Sequence, residues 1–395
     1  MRGRDAVPGV TMGVEEEFLL VDPATGTTVP RAARVLARAA KAPPRPPGAE
    51  FHPELVTTQV ESVSGVCTEA AGLRRQLYEG RRALADAAAA EGVALVSTGT
   101  PVPPTVAPPF TDGDRYTLIA ERFAGMVVGY ESCGCHVHVG VPERETAVAV
   151  VNHLRPWLPT LLALSVNSPF DRGRDSGYAS WRMVGQARFP GAGVPPWCPS
   201  AQAYDRRLDR LVDCGVLVDR TMTFWLARPS ARLPTVEVRA ADAAATVDEA
   251  VLQALLTRAL VRQALLELAA GREAPRPEDQ VCAAALWAAA RHGLSGPGVH
   301  PLKEVRVPAG RLVDELLAWT RPALEESGDL AVVTGLLARV RRAGTGADRQ
   351  RRAAARGGVP AVVGMLARQT VAEEWAPPER VRPAPPARPA RTETP

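Results

Sequence analysis

Hydrophobic and polar residues alternate in some parts of the chain and follow a helical spacing in others. Alternation or a β-rich composition predicts strands at residues 11–21, 133–141, 222–227 and 235–240. Apolar residues three and four positions apart predict helices at residues 72–91, 146–164 and 247–270. Strands and helices are both abundant, and the pattern predicts an α+β fold.

After Glu278 the pattern becomes almost wholly helical. Segments rich in alanine, leucine and arginine predict helices at residues 281–291, 309–319, 330–342 and 360–370. We expect this part of the chain to pack as a helical layer behind a sheet.

Both ends of the chain have the composition of loose tails. Residues 376–395 combine proline and arginine with almost nothing to bury. A second proline-rich stretch, residues 42–48, is predicted to be a loop because proline lacks the backbone donor that a strand needs. We therefore expect a flexible tail at residues 1–9, one domain over residues 10–375 and a disordered tail at residues 376–395.

The composition excludes several classes of function. The 395 residues carry 47 basic and 43 acidic side chains, and a formal charge of only +4 does not favour nucleic acid as a partner. No apolar run reaches the roughly 20 residues that a membrane span needs, and no signal-peptide core follows the first residues. Six cysteines are too few for a disulfide scaffold in a chain of this length. These features predict a cytoplasmic protein that does not bind membranes.

Three consecutive glutamates interrupt the first predicted strand. In a strand, Glu15 and Glu17 project from one face, whereas Glu16 shares the other face with Val14 and Phe18. Two carboxylates about 7 Å apart on one face repel each other unless a positive charge lies between them, and a divalent cation would satisfy both. A solvent-facing acidic edge strand is the alternative.

A second acidic segment covers residues 51–64. Glu61 shares a predicted strand face with Thr57 and Gln59, whereas Glu54 has the opposite parity. Both glutamates can reach one site only if the chain bends between them. Glu61 is therefore the stronger candidate, and an exposed glutamate at a strand end is the alternative.

Two histidines share one face of the next predicted strand. His136 and His138 alternate with valines, and flanking glycines permit close approach, which favours a metal or phosphate site over a structural core histidine. Cys133 and Cys135 lie next to the pair and suggest zinc. However, structural zinc sites use wider cysteine spacings, and the sequence has no second matching pair.

Glu237 and Arg239 share a face of the last predicted strand. A simple ion pair is the ordinary interpretation of such neighbours. Beside a phosphate site, the glutamate could hold Mg²⁺ while the arginine forms bidentate bonds to phosphoryl oxygens.

A glycine-rich loop is predicted at residues 167–184. It carries Arg172, Arg174 and Arg182, and loops of this kind can position anionic substrates over a rigid sheet. A basic surface loop is the alternative.

Together these segments place carboxylates on three separate strands, with a histidine pair and several arginines. The sequence contains neither a phosphate-binding Gly-x-x-x-x-Gly-Lys-Ser/Thr loop nor a Gly-x-Ser-x-Gly nucleophile elbow. Hard oxygen ligands favour Mg²⁺ or Mn²⁺ over zinc. Such a set could serve ATP whose phosphates are held by carboxylate-bound metal ions.

A resemblance to a known family rests on six fragments, which occur in order within about residues 10–370. The fragments are GVEEEFLLVDP, ELVTTQVES, GCHVHVGVP, NSPFDRGRDSGYASWR, FWLARPSARLPTVEVRAAD and WAAARHGLSG. Through them the chain resembles the second bacterial glutamate-cysteine ligase family, whose members are carboxylate-amine ligases related in fold to glutamine synthetase.

The resemblance implies a curved antiparallel sheet that forms the active site, with helices outside it. The metal ions that bridge the ATP phosphates would be coordinated by Glu15, Glu17, Glu61, His138 and Glu237. The predicted catalytic residues are Glu237, Arg239 and Arg182, with Arg239 stabilising the phosphoryl group. The predicted contacts to nucleotide or substrate are Arg172, Arg182, Arg228 and Arg239. One departure from the family pattern is Leu226, where an acidic residue is expected.

The predicted activity is ATP-dependent amide formation through an acyl phosphate, with Mg²⁺ or Mn²⁺ as the metal. Glutamate would supply its γ-carboxylate to an amino acid or amine, and family members are weak glutamate-cysteine ligases. Expected partners are small molecules, and strands at a sheet edge would allow a homodimer. A metal-dependent amide hydrolase is an alternative, as is a non-catalytic binding protein on a ligase scaffold, which Leu226 makes conceivable.

Overall fold

The computed structural model describes residues 7–42, 45–104 and 106–373. Residues 1–6 of the predicted N-terminal tail, two prolines of the predicted loop and the whole predicted C-terminal tail lie outside the described residues.

Strands and helices alternate through most of the described ranges. The strands are β1 (Met12–Val21), β2 (Glu50–Pro53), β3 (Gln59–Val63), β4 (Ala94–Val96), β5 (Gly134–Gly140), β6 (Phe170–Asp171), β7 (Arg174–Asp175), β8 (Ala192–Gly193), β9 (Phe224–Trp225), β10 (Ala227–Pro229), β11 (Thr235–Asp242), β12 (Pro297–His300) and β13 (Val305–Pro308). The helices are α1 (Ala32–Ala39), α2 (Ala70–Ala90), α3 (Asp114–Phe123), α4 (Arg144–Leu154), α5 (Leu158–Ser165), α6 (Trp181–Gln186), α7 (Ala201–Asp213), α8 (Val247–Ala269), α9 (Asp279–His292), α10 (Ala309–Glu326), α11 (Leu330–Ala343) and α12 (Gly346–Thr370). The predicted α+β class is confirmed.

The main sheet is antiparallel and has β1 at its centre. Its order is β10-β11-β5-β1-β3-β2, and β4 pairs with β1 as well. The first half of β1 pairs with β5 and its second half with β4, while β3 lies along the opposite edge. The sheet therefore unites strands that are far apart in the sequence.

One face of the sheet packs against helices. Val14, Val137 and Val236, on neighbouring strands, are buried in one apolar cluster with leucines of α5 and α8. Helix α8 begins with a capping box in which Thr246 and Glu249 satisfy each other's backbone N–H groups. Because side chains alternate along a strand, the polar residues next to these valines in each strand must face the opposite side of the sheet.

The structure corrects one predicted helix and adds a hairpin to the predicted helical part. The helix predicted at residues 146–164 is two helices, α4 and α5, because Pro156 cannot donate a helical hydrogen bond and the chain turns there. The four helices predicted after Glu278 are present as α9 to α12, and β12 and β13 add a short antiparallel hairpin between α9 and α10. Each strand of this hairpin is four residues long, too short for its periodicity to stand out.

Two other predicted segments are more structured than expected. Residues 51–64 contain two strands, β2 and β3, and Thr57 lies in the connection between them rather than on a strand face with Gln59. The predicted loop at residues 167–184 contains the β6–β7 hairpin and helix α6, whose first turn is capped by the Ser180 hydroxyl.

The part of the chain that the structure describes has no helix that combines the length and the apolar character of a membrane span.

Candidate active site

The polar face of the sheet opens into a cavity of about 810 Å³. Eight predicted site residues line it: Glu15, Glu17, Glu61, His138, Arg182, Arg228, Glu237 and Arg239. Strand register explains how they converge. Glu17 lies opposite Glu61, and Glu237 lies opposite both His138 and Arg228.

Two histidines contact Glu15. Nε2 of His138 lies 3.1 Å from the Glu15 carboxylate, and Nδ1 of His136 lies 3.4 Å from it. Burial alone would raise the pKa of Glu15, but the hydrogen bonds with both imidazoles outweigh burial and hold that pKa well below its usual range. Nδ1 of His138 lies 2.9 Å from the Thr235 hydroxyl, a contact that orients the ring. Glu15 therefore carries a negative charge and lies in contact with two imidazole rings.

Gly134 makes room for the cluster around Glu17. Its backbone N–H donates to Oε2 of Glu17 over 2.6 Å, and Oε1 of Glu17 lies 3.7 Å from Nε2 of His136. A Cβ atom at position 134 would lie 2.7 Å from that Nε2 and closer still to the Arg182 guanidinium. A larger residue at position 134 would therefore displace the Arg182 and His136 side chains from their present positions.

Two arginines hold Glu237. Arg228 donates from Nε and Nη2 to the two carboxylate oxygens over 2.8 and 3.2 Å, and Arg239 donates to Oε1. Burial would raise the pKa of Glu237, but the positive charges of Arg239 and Arg228 hold it well below its usual range. Arg228 also donates to the backbone oxygens of Thr221 and Thr223. Its guanidinium is therefore engaged in positioning Glu237.

Two further glutamates in the cavity have no cation of their own. The Glu61 carboxylate forms no ion pair or hydrogen bond with other described residues, and Glu54 joins it from the connection between β2 and β3. Burial and repulsion from Glu54, Glu15 and Glu17 hold the pKa of Glu61 well above its usual range. Burial and repulsion from Glu17 raise the pKa of Glu54 to about 8. The bend that Glu54 needed to reach the site is present.

Arg182 reaches the cavity from helix α6. Its side chain is almost fully buried, yet Nε and Nη1 have no hydrogen-bond partner within the described ranges. The carboxylate of Asp242 lies 3.8 Å from Nη1, beyond hydrogen-bond distance. Buried donors are almost always satisfied in folded proteins, so these N–H groups are suited to an anionic ligand.

Three residues that the sequence singled out lie elsewhere. Arg172 is exposed in the β6–β7 turn and does not line the cavity. Leu226 is fully buried in the main apolar core, so its side chain does not face the site. Cys133 lies in a separate apolar cluster with Leu19 and Val96, and burial raises the pKa of its thiol.

The donor atoms fit a divalent cation. Two groups of residues bring one donor atom each to within 4.8 Å of one another, namely Glu15, His136 and Glu237, and Glu17, Glu61 and His136. Burial raises the pKa values of Glu54 and Glu61, and repulsion from the neighbouring carboxylates raises them further. A donor set dominated by carboxylate oxygen is the kind that Mg²⁺ and Mn²⁺ prefer.

The profile of glutamate-cysteine ligase family 2 matches residues 11–374. The chain belongs to this family. One family relative, from Saccharopolyspora erythraea and bearing the name glutamate-cysteine ligase 2-2, is 56% identical over 362 residues, which are 92% of this chain and 93% of the relative. Membership makes the chain a carboxylate-amine ligase of the glutamate-cysteine ligase type.

Two solved structures resemble the fold at low sequence identity. Glutamate-cysteine ligase from Francisella tularensis, in complex with AMP, has a TM-score of 0.69 at 13% identity, covering 91% of this chain and 88% of the other. The ligase PafA, in complex with the prokaryotic ubiquitin-like protein Pup, has a TM-score of 0.53 at 14% identity, covering 92% of this chain and 73% of the other. The predicted glutamine synthetase-like fold of family 2 is confirmed.

The ligand set implied by the family resemblance omitted several residues that line the site. His136 belongs to both donor groups, although the family resemblance assigned metal binding to His138 alone. Arg115, on α3, and Arg232, between β10 and β11, also line the cavity. The position of His136 and His138 on one strand face had already indicated His136 as a candidate ligand. No local pattern in the sequence marks Arg115 or Arg232.

Proposed function

We propose that this member of family 2 joins a carboxylate to an amine at the expense of ATP, through an acyl phosphate and with Mg²⁺ as the metal. The acid is glutamate, reacting through its γ-carboxylate, and the acceptor is an amino acid or another amine. The observation that carries the proposal is one cavity in which six glutamates meet three histidines and five arginines. These residues suit a triphosphate with its metal ions.

The residues that would hold Mg²⁺ are the two donor groups around His136, which comprise Glu15, Glu17, Glu61 and Glu237, together with the neighbouring His138. When bound, the metal would neutralise phosphate charge and hold the γ-phosphoryl group in line with the attacking oxygen. Arg228 keeps the Glu237 carboxylate in place for this role.

Two arginines supply hydrogen bonds to the transferred phosphoryl group in our proposal. Nε of Arg239 and Nε and Nη1 of Arg182 are buried without partners among the described residues, and both side chains line the cavity. The substrate carboxylate attacks the γ-phosphorus, the bond to ADP breaks and an acyl phosphate forms. Guanidinium donors stabilise the charge that develops on the phosphoryl oxygens during this step.

The second step requires position rather than a covalent nucleophile. The acceptor amine attacks the acyl carbon, phosphate leaves, and the amine loses a proton to water. Activation is needed because a free carboxylate is negatively charged and its oxygen is a poor leaving group. The enzyme contributes orientation of the two substrates in one cavity. The relative from F. tularensis, described as a glutamate-cysteine ligase in complex with AMP, supports a nucleotide as one of the ligands.

The proposal is tested by product analysis with ATP, Mg²⁺, glutamate and a panel of amines that includes cysteine. We expect ADP, phosphate and amide in equal amounts, and γ-glutamyl hydroxamate when hydroxylamine replaces the amine. Formation of AMP and pyrophosphate would exclude the acyl phosphate route. Amide cleavage without nucleotide would instead favour a metal-dependent hydrolase.

A further inference from the structure

A second cavity lies on the other side of helix α6. Its volume is about 780 Å³, close to that of the first cavity and within the range of small-molecule sites. Arg182 and Gln186 of α6 line the first cavity, whereas Met183, Val184 and Ala187 line the second. No described residue lines both cavities, so a ligand in the second would leave the first free.

The lining of the second cavity is mainly apolar. Val184, Leu211, Trp225 and Leu286 contribute from α6, α7, β9 and α9. Trp287 adds a large aromatic ring that is 55% exposed, and its indole N–H donates to the Tyr178 hydroxyl over 3.2 Å. An apolar concavity with an exposed tryptophan is typical of a surface that binds a partly apolar ligand.

The charges of this cavity are unbalanced. Arg207 and Arg210 lie three positions apart on α7, so their side chains share one face of the helix. Neither guanidinium forms a hydrogen bond or ion pair within residues 7–42, 45–104 and 106–373. The acidic residue of the lining, Asp279, accepts a hydrogen bond from Arg155. Two free positive charges therefore stand beside an apolar surface.

We propose that the second cavity binds a small organic acid with an apolar body. The acid group would lie between the guanidinium groups of Arg207 and Arg210, and the apolar body would contact Val184, Leu286 and Trp287. Charge complementarity selects an anion, because the cavity offers two uncompensated arginines. The volume and the apolar lining select a body about the size of a medium-length acyl chain or a substituted aromatic ring. This binding does not depend on the activity proposed above.

The test uses the full chain and decanoate as the probe, with calorimetric titration as the measurement. We expect saturable binding at one site per chain. An Arg207→Gln/Arg210→Gln double variant should bind about tenfold more weakly or worse, because the charge-assisted hydrogen bonds to the carboxylate are lost. Neutral decanamide should also bind the unaltered protein about tenfold more weakly than decanoate does, or worse.

A matched pair of substitutions locates the site. Ala283 and Ala284 are both exposed on α9, but only Ala283 lines the cavity. Ala283→Phe should fill the cavity and weaken decanoate binding at least tenfold, whereas Ala284→Phe should leave it unchanged. Both variants should unfold at the same urea concentration as the unaltered protein, because exposed substitutions rarely disturb the fold.

Three results would overturn the proposal. One is the absence of saturable decanoate binding, and another is equal binding by the Ala283→Phe and Ala284→Phe variants. The third is equal affinity for decanoate and decanamide, which would show a cavity for neutral apolar ligands and remove the role of Arg207 and Arg210.

Discussion

Glutamates on the two faces of strand β1 have opposite electrostatic surroundings. Glu16, on the core face, accepts hydrogen bonds from Nη2 and Nε of Arg81 over 2.6 and 3.1 Å, and both side chains are almost fully buried. Glu15 and Glu17, one position away on either side, face the cavity that also contains Glu54 and Glu61. Glu16 is matched by an arginine of the chain, whereas the other four carboxylates form no ion pair with an arginine or lysine of the described residues.

The arginines on the two sides differ in the same way. Arg81 also donates to the backbone oxygens of Thr370 and Ala244, so each of its nitrogens has an acceptor. Arg182 is almost as buried, but Nε and Nη1 have no hydrogen-bond partner in the described part of the chain, and the nearby Asp242 carboxylate lies 3.8 Å from Nη1. A buried charge whose partner is within the chain belongs to the fold, whereas an unmatched one belongs to a ligand site.

The largest expected effect is on the core face. Glu16→Gln would leave Arg81 buried without its counter-charge and should lower the free energy of unfolding by about 3–5 kcal/mol. Urea denaturation measures this change. Replacing the pair by Glu16→Leu/Arg81→Met should cost less than Glu16→Gln alone, since no unpaired charge remains. A loss below about 1 kcal/mol, as for an exposed ion pair, would contradict the structural role of Glu16.

The matched change on the cavity face should affect catalysis and spare the fold. Glu17→Gln should lower kcat/KM for ADP release by about 10²- to 10³-fold, the range for removing one group that stabilises transition-state charge. Without Mg²⁺, its free energy of unfolding should equal or exceed that of the unaltered protein, because a repelling charge is gone. If turnover survives, or if stability falls as it does for Glu16→Gln, the distinction between the faces is wrong.

A pair of arginine substitutions sharpens the comparison. Arg182→Lys keeps the charge but loses the planar donor geometry, so kcat/KM for ATP should fall about tenfold or more while stability changes little. Arg81→Lys should destabilise the protein instead, because the acceptors at Glu16, Thr370 and Ala244 lose donors. Equal loss of stability in both variants would show that Arg182 is held as part of the fold.

The smallest effect, expressed per pH unit, concerns stability in the absence of metal. The pKa of Glu54 is raised from 4.5 to about 8 in the fold, so between these values the unfolded chain releases a proton that the folded chain keeps. Stability should therefore fall as pH rises from about 5 to 8, by at most about 1.4 kcal/mol per pH unit for one carboxyl group. Urea denaturation in EDTA at pH 6, 7 and 8 measures the slope, which Glu54→Gln should reduce. Stability that rises over this window would contradict the repulsion among the glutamates.

Periodicity in the sequence predicted the strand faces well, but it predicted the bends and breaks of the chain poorly. Strand alternation separated Glu16 from Glu15 and Glu17 as the structure does. It did not reveal that Glu54 reaches the cavity, because the bend after β2 depends on how β2 and β3 pair. The break between α4 and α5 was present in the sequence as Pro156.

Contacts between distant segments account for the rest. The metal-binding role predicted for His138 is complemented by His136, which belongs to two donor groups, one with Glu15 and Glu237 and one with Glu17 and Glu61. That proximity follows from the order of β3, β1, β5 and β11 across the sheet, which no spacing rule contains. The donors of Arg182 lack hydrogen-bond partners because of where α6 packs. The sequence therefore indicated Arg182 as a site residue but not why its donors are available to a ligand.

The most direct test of the cavity as a cation site is Mn²⁺ binding, followed by the electron paramagnetic resonance signal of the free ion. The unaltered protein should remove Mn²⁺ from solution saturably, and more tightly with a non-hydrolysable ATP analogue present. Folded Glu16→Gln protein should bind Mn²⁺ as the unaltered protein does, whereas the Glu17→Gln variant should lose most of its Mn²⁺ binding. Equal Mn²⁺ binding by both variants, or none by the unaltered protein, would contradict the account.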